Sequence, residues 1–332
     1  MAKIAINGLG RIGRATLKVL MDTPELELVG INDIVPTDNL AYLLKYDTVY
    51  GVYEKTVEND EDHLIIDGVK IPVFKEKDPS NLPWKDLGVD IVFESTGVFS
   101  KTQELKKHLE AGAKFAILSQ PAKEDDISTV VYGVSRPGRS DRILSCASCT
   151  TNAITPVMEV MNRRIGIAKA LMTTVHAYTS SQKIVDAPSK KFRRGRAGAA
   201  NFVPTTTGAA IATTKALPEL RGRFDGVAIR APIPVGSIAD IVFLASRKTS
   251  IDDVNEIFRE EAETDKYKGV LGVTDEPLVS SDIVKDPRAS IVDLEMTQVV
   301  DGDLVKVMSW YDNEWGYSSQ MVREAVRISK EI

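Results

Sequence analysis

The chain of 332 residues is poor in the residue types that most often announce a special chemistry. It holds only two cysteines, Cys146 and Cys149, and three histidines, His63, His108 and His176. Two cysteines cannot build a disulfide framework, which points to a reducing compartment. The three histidines are widely scattered, nothing in the spacing resembles a closed ligand set, and no metal is expected. Aromatic residues make up 6% of the chain and the net charge is −5, so nucleic acid is not expected as a main partner. No run approaches the roughly 18 uninterrupted apolar residues of a membrane span. The opening MAKIAINGLG lacks the basic region, apolar run and small-residue cleavage site of a signal peptide. A cytoplasmic location with no membrane partner is therefore expected. There is also no Pro/Ser-rich linker and no internal repeat. What is present is 43% hydrophobic content over a length that suits two domains.

The first motif is at the front. A short apolar run, Ile4-Ala5-Ile6, leads into Gly8-x-Gly10-x-x-Gly13. Ile12, Leu17, Val19 and Leu20 can then line a helix face, and a second apolar run, LELVGIND, ends at Asp33. Strand, glycine turn, helix, strand and acid in this order form the fingerprint of a dinucleotide-binding Rossmann unit. Gly8 permits the turn, Gly10 lets the backbone approach a pyrophosphate, and Gly13 lets the helix sit close to the sheet. Asp33 can accept hydrogen bonds from a free adenosine ribose and would repel a 2′-phosphate. The sheet continues through DIVFESTG at 90–97 and KFAILSQPA at 114–122, with a helix at 101–111. Ligands of such sheets lie beyond the carboxyl ends of the strands, where Ser95, Thr96, Gly97 and Ser119 fall. These are candidates for cofactor contact, and equally ordinary turn residues. Residues 46–80 are charged and hairpin-like, turning at Asp67-Gly68, and read as decoration.

The centre holds SCASCTTN, residues 145–152, with both cysteines in a C-x-x-C spacing. A redox pair, half a metal site, or one nucleophile with an incidental neighbour all fit that spacing. Ile154, Val157, Met158, Met161 and Ile165 follow at helical intervals and predict a helix with one buried stripe, ending near Gly166 and bent or delayed by Pro156. Cys149 falls near its start. There, free amides and the helix dipole favour a thiolate and lower the thiol pKa, and Thr150, Thr151 and Asn152 offer polar caps. A strand-like run, 168–179, carries His176 near its end. A cysteine at a helix start and a histidine at a nearby strand end meet the needs of thiol activation, although a solvated or core histidine is the commoner case.

Three weaker features then agree on phosphate. Lys190, Lys191, Arg193, Arg194 and Arg196 form a basic loop, Thr205–Thr207 lead into Gly208 before a helix, and Arg230 sits alone in a strongly apolar strand region. An arginine so placed needs an anionic partner. The back of the chain alternates in two segments around Asp301-Gly302, with one helix from about 251 and another in the ending NEWGYSSQMVREAVRISK. The last presents Met321, Val322, Ala325 and Val326 on one face. The fold class expected is α/β followed by α+β: an N-terminal Rossmann domain and a second domain of mixed or antiparallel sheet with helices.

INGLGRIGR at 6–14, ASCTTN at 147–152, TTVHAYT at 173–179, TGAA at 207–210 and SWYDNEWGYS at 309–318 occur in this order, and across its whole length the chain closely resembles the phosphorylating glyceraldehyde-3-phosphate dehydrogenases. The resemblance implies a domain of 1–148 completed by the C-terminal helix 312–332. It implies a catalytic domain of 149–311 with a basic loop near 178–201, and a homotetramer. It implies that Cys149 attacks the aldehyde of glyceraldehyde 3-phosphate and His176 takes the proton, and that inorganic phosphate releases the acyl group from a thioester. It assigns Thr179 and Arg230 to the substrate phosphate. Ser148, Thr150, Thr207 and Gly208 go to the attacking phosphate, and Arg194 to the loop arginine, with Arg196 the alternative because the loop is one residue short. It assigns Gly8, Gly10, Arg11, Ile12, Gly13, Asp33, Thr96, Ser119 and Asn313 to the cofactor. Asp33 and Pro188 imply NAD, while Ala187 is mixed and leaves NADP as a secondary cofactor. Cys146 stands where the family has asparagine, and Ala153 where it often has cysteine. Two rivals remain: a sister enzyme acting on erythrose 4-phosphate, and an RNA-binding role for the 190–196 cluster.

Overall fold

A computed structural model describes all residues, 1–332. It divides into two compact units. The first comprises residues 1–130, 136–147 and 321–332, and the second 131–135 and 148–320. The division differs from the expected boundaries: 312–320 and the short segment 131–135 count with the second unit, so the C-terminal helix does not belong to the first unit as a whole.

The first unit contains β1 (Ala2–Asn7), α1 (Arg11–Leu20), β2 (Leu26–Asn32), α2 (Thr37–Lys45), β3 (Tyr46–Asp47), β4 (Gly51–Val52), β5 (Val57–Asn59), β6 (His63–Ile66), β7 (Val69–Phe74), α3 (Trp84–Leu87), β8 (Ile91–Glu94), α4 (Thr102–Glu110), β9 (Phe115–Leu118), β10 (Ser128–Thr129) and β11 (Ile143–Ser145). The sheet order is β10-β11-β9-β8-β1-β2-β7-β6-β5. Pairing is parallel from β10 to β7. Beyond β7 the expected hairpin turns antiparallel at Asp67-Gly68, where both residues have positive φ. The order reverses around β1, which creates the crevice typical of doubly wound sheets. The strands are continuous apolar runs because both faces are covered: Ile4, Ile6, Ile91, Val92 and Phe93 are fully buried. On α1 the buried face is Ala15, Leu17 and Leu20, whereas Ile12 and Val19 are only half-buried.

The second unit contains α5 (Cys149–Arg164), β12 (Ile167–Ala177), β13 (Val203–Thr206), α6 (Ala209–Ala216), β14 (Phe224–Ala231), β15 (Ser237–Ala245), α7 (Ile251–Ala262), β16 (Leu271–Thr274), β17 (Ser290–Val300) and β18 (Leu304–Tyr311). The final helix, α8 (Trp315–Ser329), begins in this unit. On α8, Met321, Val322 and Ala325 are buried as expected, but Val326 is half-buried and Glu324 is fully buried in its place. The mixed sheet runs β13-β14-β12-β15-β18-β17-β16. Helix α5 lies against it and against α6 and α7. That explains a departure from expectation: α5 is buried nearly all round, from Thr150 to Met158, rather than along one stripe. Pro156 neither delays nor ends the helix, which starts at Cys149 and closes at Ile165 before Gly166, φ 85°. No helix of the chain is long and apolar enough to cross a membrane.

Candidate active site

In the first unit, Gly8, Gly10 and Gly13 lie between β1 and α1, Arg11 and Ile12 open α1, Asp33 follows β2, Thr96 follows β8 and Ser119 follows β9. These positions share the carboxyl ends of adjacent parallel strands. Two of the three glycines are required by the chain itself. Gly8 has φ +92° and a Cβ there would meet the Thr96 amide nitrogen at 2.6 Å; a Cβ on Gly13 would meet the Gly8 carbonyl oxygen at 2.0 Å. A Cβ on Gly10 would meet nothing within 4 Å. Gly10 is also the N-cap of α1 and supplies no side-chain cap, so the helix start keeps amides for an anion. The Leu9 and Val35 amides donate to the two oxygens of Asp33 at 2.7 and 3.0 Å, fixing the acid beside the turn. These features fit a dinucleotide: an open glycine at a helix start for the pyrophosphate, and an anchored acid for the ribose. Arg11 is also engaged within the chain. Its guanidinium donates to Asp47 at 2.5 Å and lies over the Tyr50 ring, so the region read as decoration reaches the glycine turn.

Beneath this turn lies a buried network that the sequence reading missed. Glu94 is fully buried and accepts from the Thr96 amide (2.9 Å), the Thr96 hydroxyl, the Asn7 amide (2.5 Å) and His108 Nε2 (3.0 Å). Trp84 Nε1 can only donate, and it reaches His108 Nδ1 at 3.2 Å, which leaves the histidine proton on Nε2 facing Glu94. Asn32 donates to the Asn7 side-chain oxygen at 2.7 Å, so β1, β2, β8 and α4 share one circuit.

In the second unit, Ser148 is the N-cap of α5: its hydroxyl accepts from the Thr151 amide at 3.1 Å. The cap is thus Ser148, not the three polar residues after Cys149. Cys149 occupies the first helical position and is half-buried. Its Sγ is 3.2 Å from His176 Nε2. His176 enters from the end of β12, where it stands opposite Arg230 on the parallel strand β14. The Ala177 carbonyl lies 2.7 Å from His176 Nδ1 and also accepts from Arg230 Nη1 at 3.1 Å. The ring proton has two arrangements: on Nδ1 it donates to this carbonyl and leaves Nε2 as the acceptor toward sulfur, and on Nε2 it faces sulfur and leaves Nδ1 to accept from Arg230. Arg230 Nη1 lies 2.5 Å from His176 Nδ1. Burial and this neighbouring positive charge lower the imidazole pKa to about 3, so it stands neutral as a base must.

The thiol departs from expectation in direction. Burial raises its pKa, and the opposing pulls of Arg230 and the helix-start amides do not overcome it. The helix start alone is an incomplete account of the thiol. Tyr311 closes the cluster: its hydroxyl is 2.9 Å from Thr150 Oγ1 and 2.8 Å from Thr174 Oγ1, and its ring meets that of His176 edge-on at 5.9 Å. Tyr311 stands inside SWYDNEWGYS, yet only the fold reveals its contacts.

Arg230 has no carboxylate partner, and its Nε is buried without a hydrogen-bond partner. Arg194 donates from Nε to Thr205 Oγ1 at 3.0 Å and from Nη2 to the Thr206 carbonyl at 3.2 Å, just before Thr207 and Gly208. Arg196 instead pairs with Asp186 at 2.7 Å on the surface. The Thr207 hydroxyl accepts from the Ala209 amide, and Gly208 caps α6 with no side chain. Thr179 follows β12, and Asn313, also in this unit, accepts from Ser237 at 2.9 Å through Oδ1. Cys146 belongs to the first unit, buried just past β11, and burial raises its thiol pKa. No three His, Cys, Asp or Glu side chains group as metal ligands would.

The two units, a Rossmann-like domain and a mixed-sheet domain carrying a cysteine–histidine pair, define an NAD-dependent oxidoreductase. The model for the NAD-binding domain of glyceraldehyde 3-phosphate dehydrogenase matches residues 2–102, and that for its C-terminal domain matches 148–313. A glyceraldehyde-3-phosphate dehydrogenase of Thermotoga maritima is 49% identical over 326 residues, covering 97% of both chains. That of Zymomonas mobilis is 46% identical over 334 residues, 99% of both, and glyceraldehyde-3-phosphate dehydrogenase 1 of Bacillus subtilis is 45% identical over 99% of this chain and 98% of its own. The chain belongs to the glyceraldehyde-3-phosphate dehydrogenase family.

Proposed function

We propose that this chain oxidises glyceraldehyde 3-phosphate with NAD and inorganic phosphate to 1,3-bisphosphoglycerate, reversibly, through a thioester on Cys149. The observation that carries the reading is the 3.2 Å contact between Cys149 Sγ and a neutral His176 Nε2, at the start of α5 and beside Arg230. His176 takes the thiol proton as sulfur bonds to the aldehyde carbon. The Cys149 amide, at a helix start, donates to the developing oxyanion. His176 returns its proton to that oxyanion, and the resulting hemithioacetal hydroxyl then gives it back to the neutral imidazole while hydride leaves carbon. Bound NAD supplies the hydride acceptor. Phosphate attacks the thioester carbonyl, the acyl phosphate leaves, and sulfur recovers its proton. Keeping water from the acyl group preserves the energy of oxidation in the product.

Thr179 and Arg230 hold the substrate phosphate, supported by the partnerless Nε of Arg230. Ser148, Thr150, Thr207 and Gly208 hold the attacking phosphate, and Arg194, resting on Thr205 and Thr206, serves as the loop arginine. Gly8, Gly10, Arg11, Ile12, Gly13, Asp33, Thr96, Ser119 and Asn313 bind NAD. Asp33, held beside the glycine turn by two amides, favours NAD over NADP, which remains a secondary cofactor. The chain works as a homotetramer. Exposed apolar side chains support this: Ile184 at 91%, Phe192 at 89% and Phe202 at 70% exposure crowd the basic loop. Steady-state rates with glyceraldehyde 3-phosphate and erythrose 4-phosphate, each with and without phosphate and with NAD or NADP, test the reading. Phosphate-independent turnover of erythrose 4-phosphate as the main activity, or a strong NADP preference, would contradict it.

A further inference from the structure

We infer that Gln182 is a further substrate-binding residue, whose side-chain amide donates to the phosphate group of the aldehyde substrate. The inference rests on the proposed placement of that phosphate at Thr179 and Arg230.

Gln182 is only 8% exposed. It closes a turn in which its own amide donates to the Thr179 carbonyl at 2.9 Å. The orientation of its side chain is dictated by chemistry. The Thr179 backbone N–H can only donate, and it meets Gln182 Oε1 at 3.1 Å. The hydroxyls of Thr179 and Ser181 lie 3.2 and 3.3 Å from the same oxygen. Reversing the amide would set donor against donor, so Nε2 faces away from the Thr179 N–H. That Nε2 is buried with no hydrogen-bond partner. The basic loop comes close on another side: a Cβ at Gly198 would stand 3.0 Å from Gln182 Cβ.

A buried amide donor with no acceptor is costly and rare. A second one stands on the neighbouring strand. Arg230 Nε is equally buried and partnerless, on the strand that pairs with β12 just before the Thr179–Gln182 turn. Two buried donors without a protein acceptor, one of them cationic, suit an oxygen-rich anion and neither a cation nor an apolar group. Gln182 thus has two tasks, one per amide atom. Oε1 orients Thr179, and Nε2 adds a neutral donor that does not repel Arg230.

The test compares glyceraldehyde 3-phosphate with unphosphorylated glyceraldehyde in Gln182→Glu, a near-isosteric change that keeps the acceptor toward Thr179 and replaces the donor by an anionic oxygen. We expect KM for glyceraldehyde 3-phosphate to rise about tenfold or more, with kcat at saturation nearly unchanged. Turnover of glyceraldehyde should shift by less than about twofold. A parallel fall with both aldehydes, or unchanged kinetics with the phosphorylated one, overturns the assignment. Parent protein with no preference for the phosphorylated aldehyde overturns the underlying substrate reading, a different result. Should the variant not fold, parent protein labelled with glutamine side-chain 15N decides. One amide signal must move on titration with glyceraldehyde 3-phosphate and stay with glyceraldehyde; no phosphate-specific movement overturns the inference.

Discussion

Two buried polar clusters in this chain are built on opposite plans. Under the glycine turn of the first unit, the Glu94 carboxylate is met by four donors, and His108, Asn7, Asn32 and Trp84 complete one another. At the corner of β12 and β14 in the second unit, Arg230 Nε and Gln182 Nε2 are buried and unmatched. The protein completes the first cluster itself. The second is left with donors to spare, as the proposed anion site requires. Buried polar groups that satisfy one another rigidify a fold, whereas unmatched ones carry a cost that a ligand can relieve.

The largest effect should come from the group on which the second plan depends. Cys149→Ser should lower kcat by about four orders of magnitude or more while leaving thermal stability near the parent value. Steady-state rates beside calorimetry check both halves, and appreciable activity in the variant would break the contrast.

The next pair of variants sharpens it. Glu94→Gln turns one acceptor into a donor inside a circuit of donors. It should cost about 2–4 kcal/mol of stability and weaken NAD binding, with kcat at saturating NAD little changed. Arg230→Met should cost activity strongly but stability little, or even raise it, because it removes a buried cation without an anionic protein partner. Urea unfolding and NAD titration distinguish the two. Equal stability losses in both variants would show that the second cluster is as structural as the first.

A smaller effect concerns pH. His176 has a folded pKa near 3 against an ordinary 6.5, lowered by burial and by Arg230. The unfolded chain therefore takes up a proton between these values that the native site does not. Its contribution to stability is complete above about pH 6.5 and is lost as pH falls toward the folded value. Comparing unfolding free energies at pH 7 and pH 4.5, the parent should lose about 1–3 kcal/mol more than His176→Asn. The same slope in both proteins would mean that His176 titrates normally.

The elements whose signals are local were legible in the sequence. Ile4–Ile6, the spaced glycines and Asp33 announce β1, α1 and β2 because each depends on its near neighbours. Cys149 at a helix start and His176 near a strand end could be read the same way. Their meeting could not, because it depends on β12 lying parallel to β14 with His176 opposite Arg230. Glu94 and His108, fourteen residues apart in the chain, read as a strand residue and a scattered histidine until β8 and α4 bring them to 3.0 Å. Gln182 gave no signal, since its importance is one buried nitrogen. The helix-dipole argument for Cys149 failed in direction because it counted the nearby amides and omitted burial. The single apolar stripe expected on α5 failed because helices α6 and α7 cover what the sheet does not.

The central claim is that Cys149 carries the substrate through oxidation. A single turnover with glyceraldehyde 3-phosphate and NAD, without phosphate, tests it most directly. The expected result is a burst of about one reduced cofactor per chain, an acyl group mapped by mass spectrometry to Cys149 and not Cys146, and its release on adding phosphate. No burst, or an acyl group on any other residue, would contradict it.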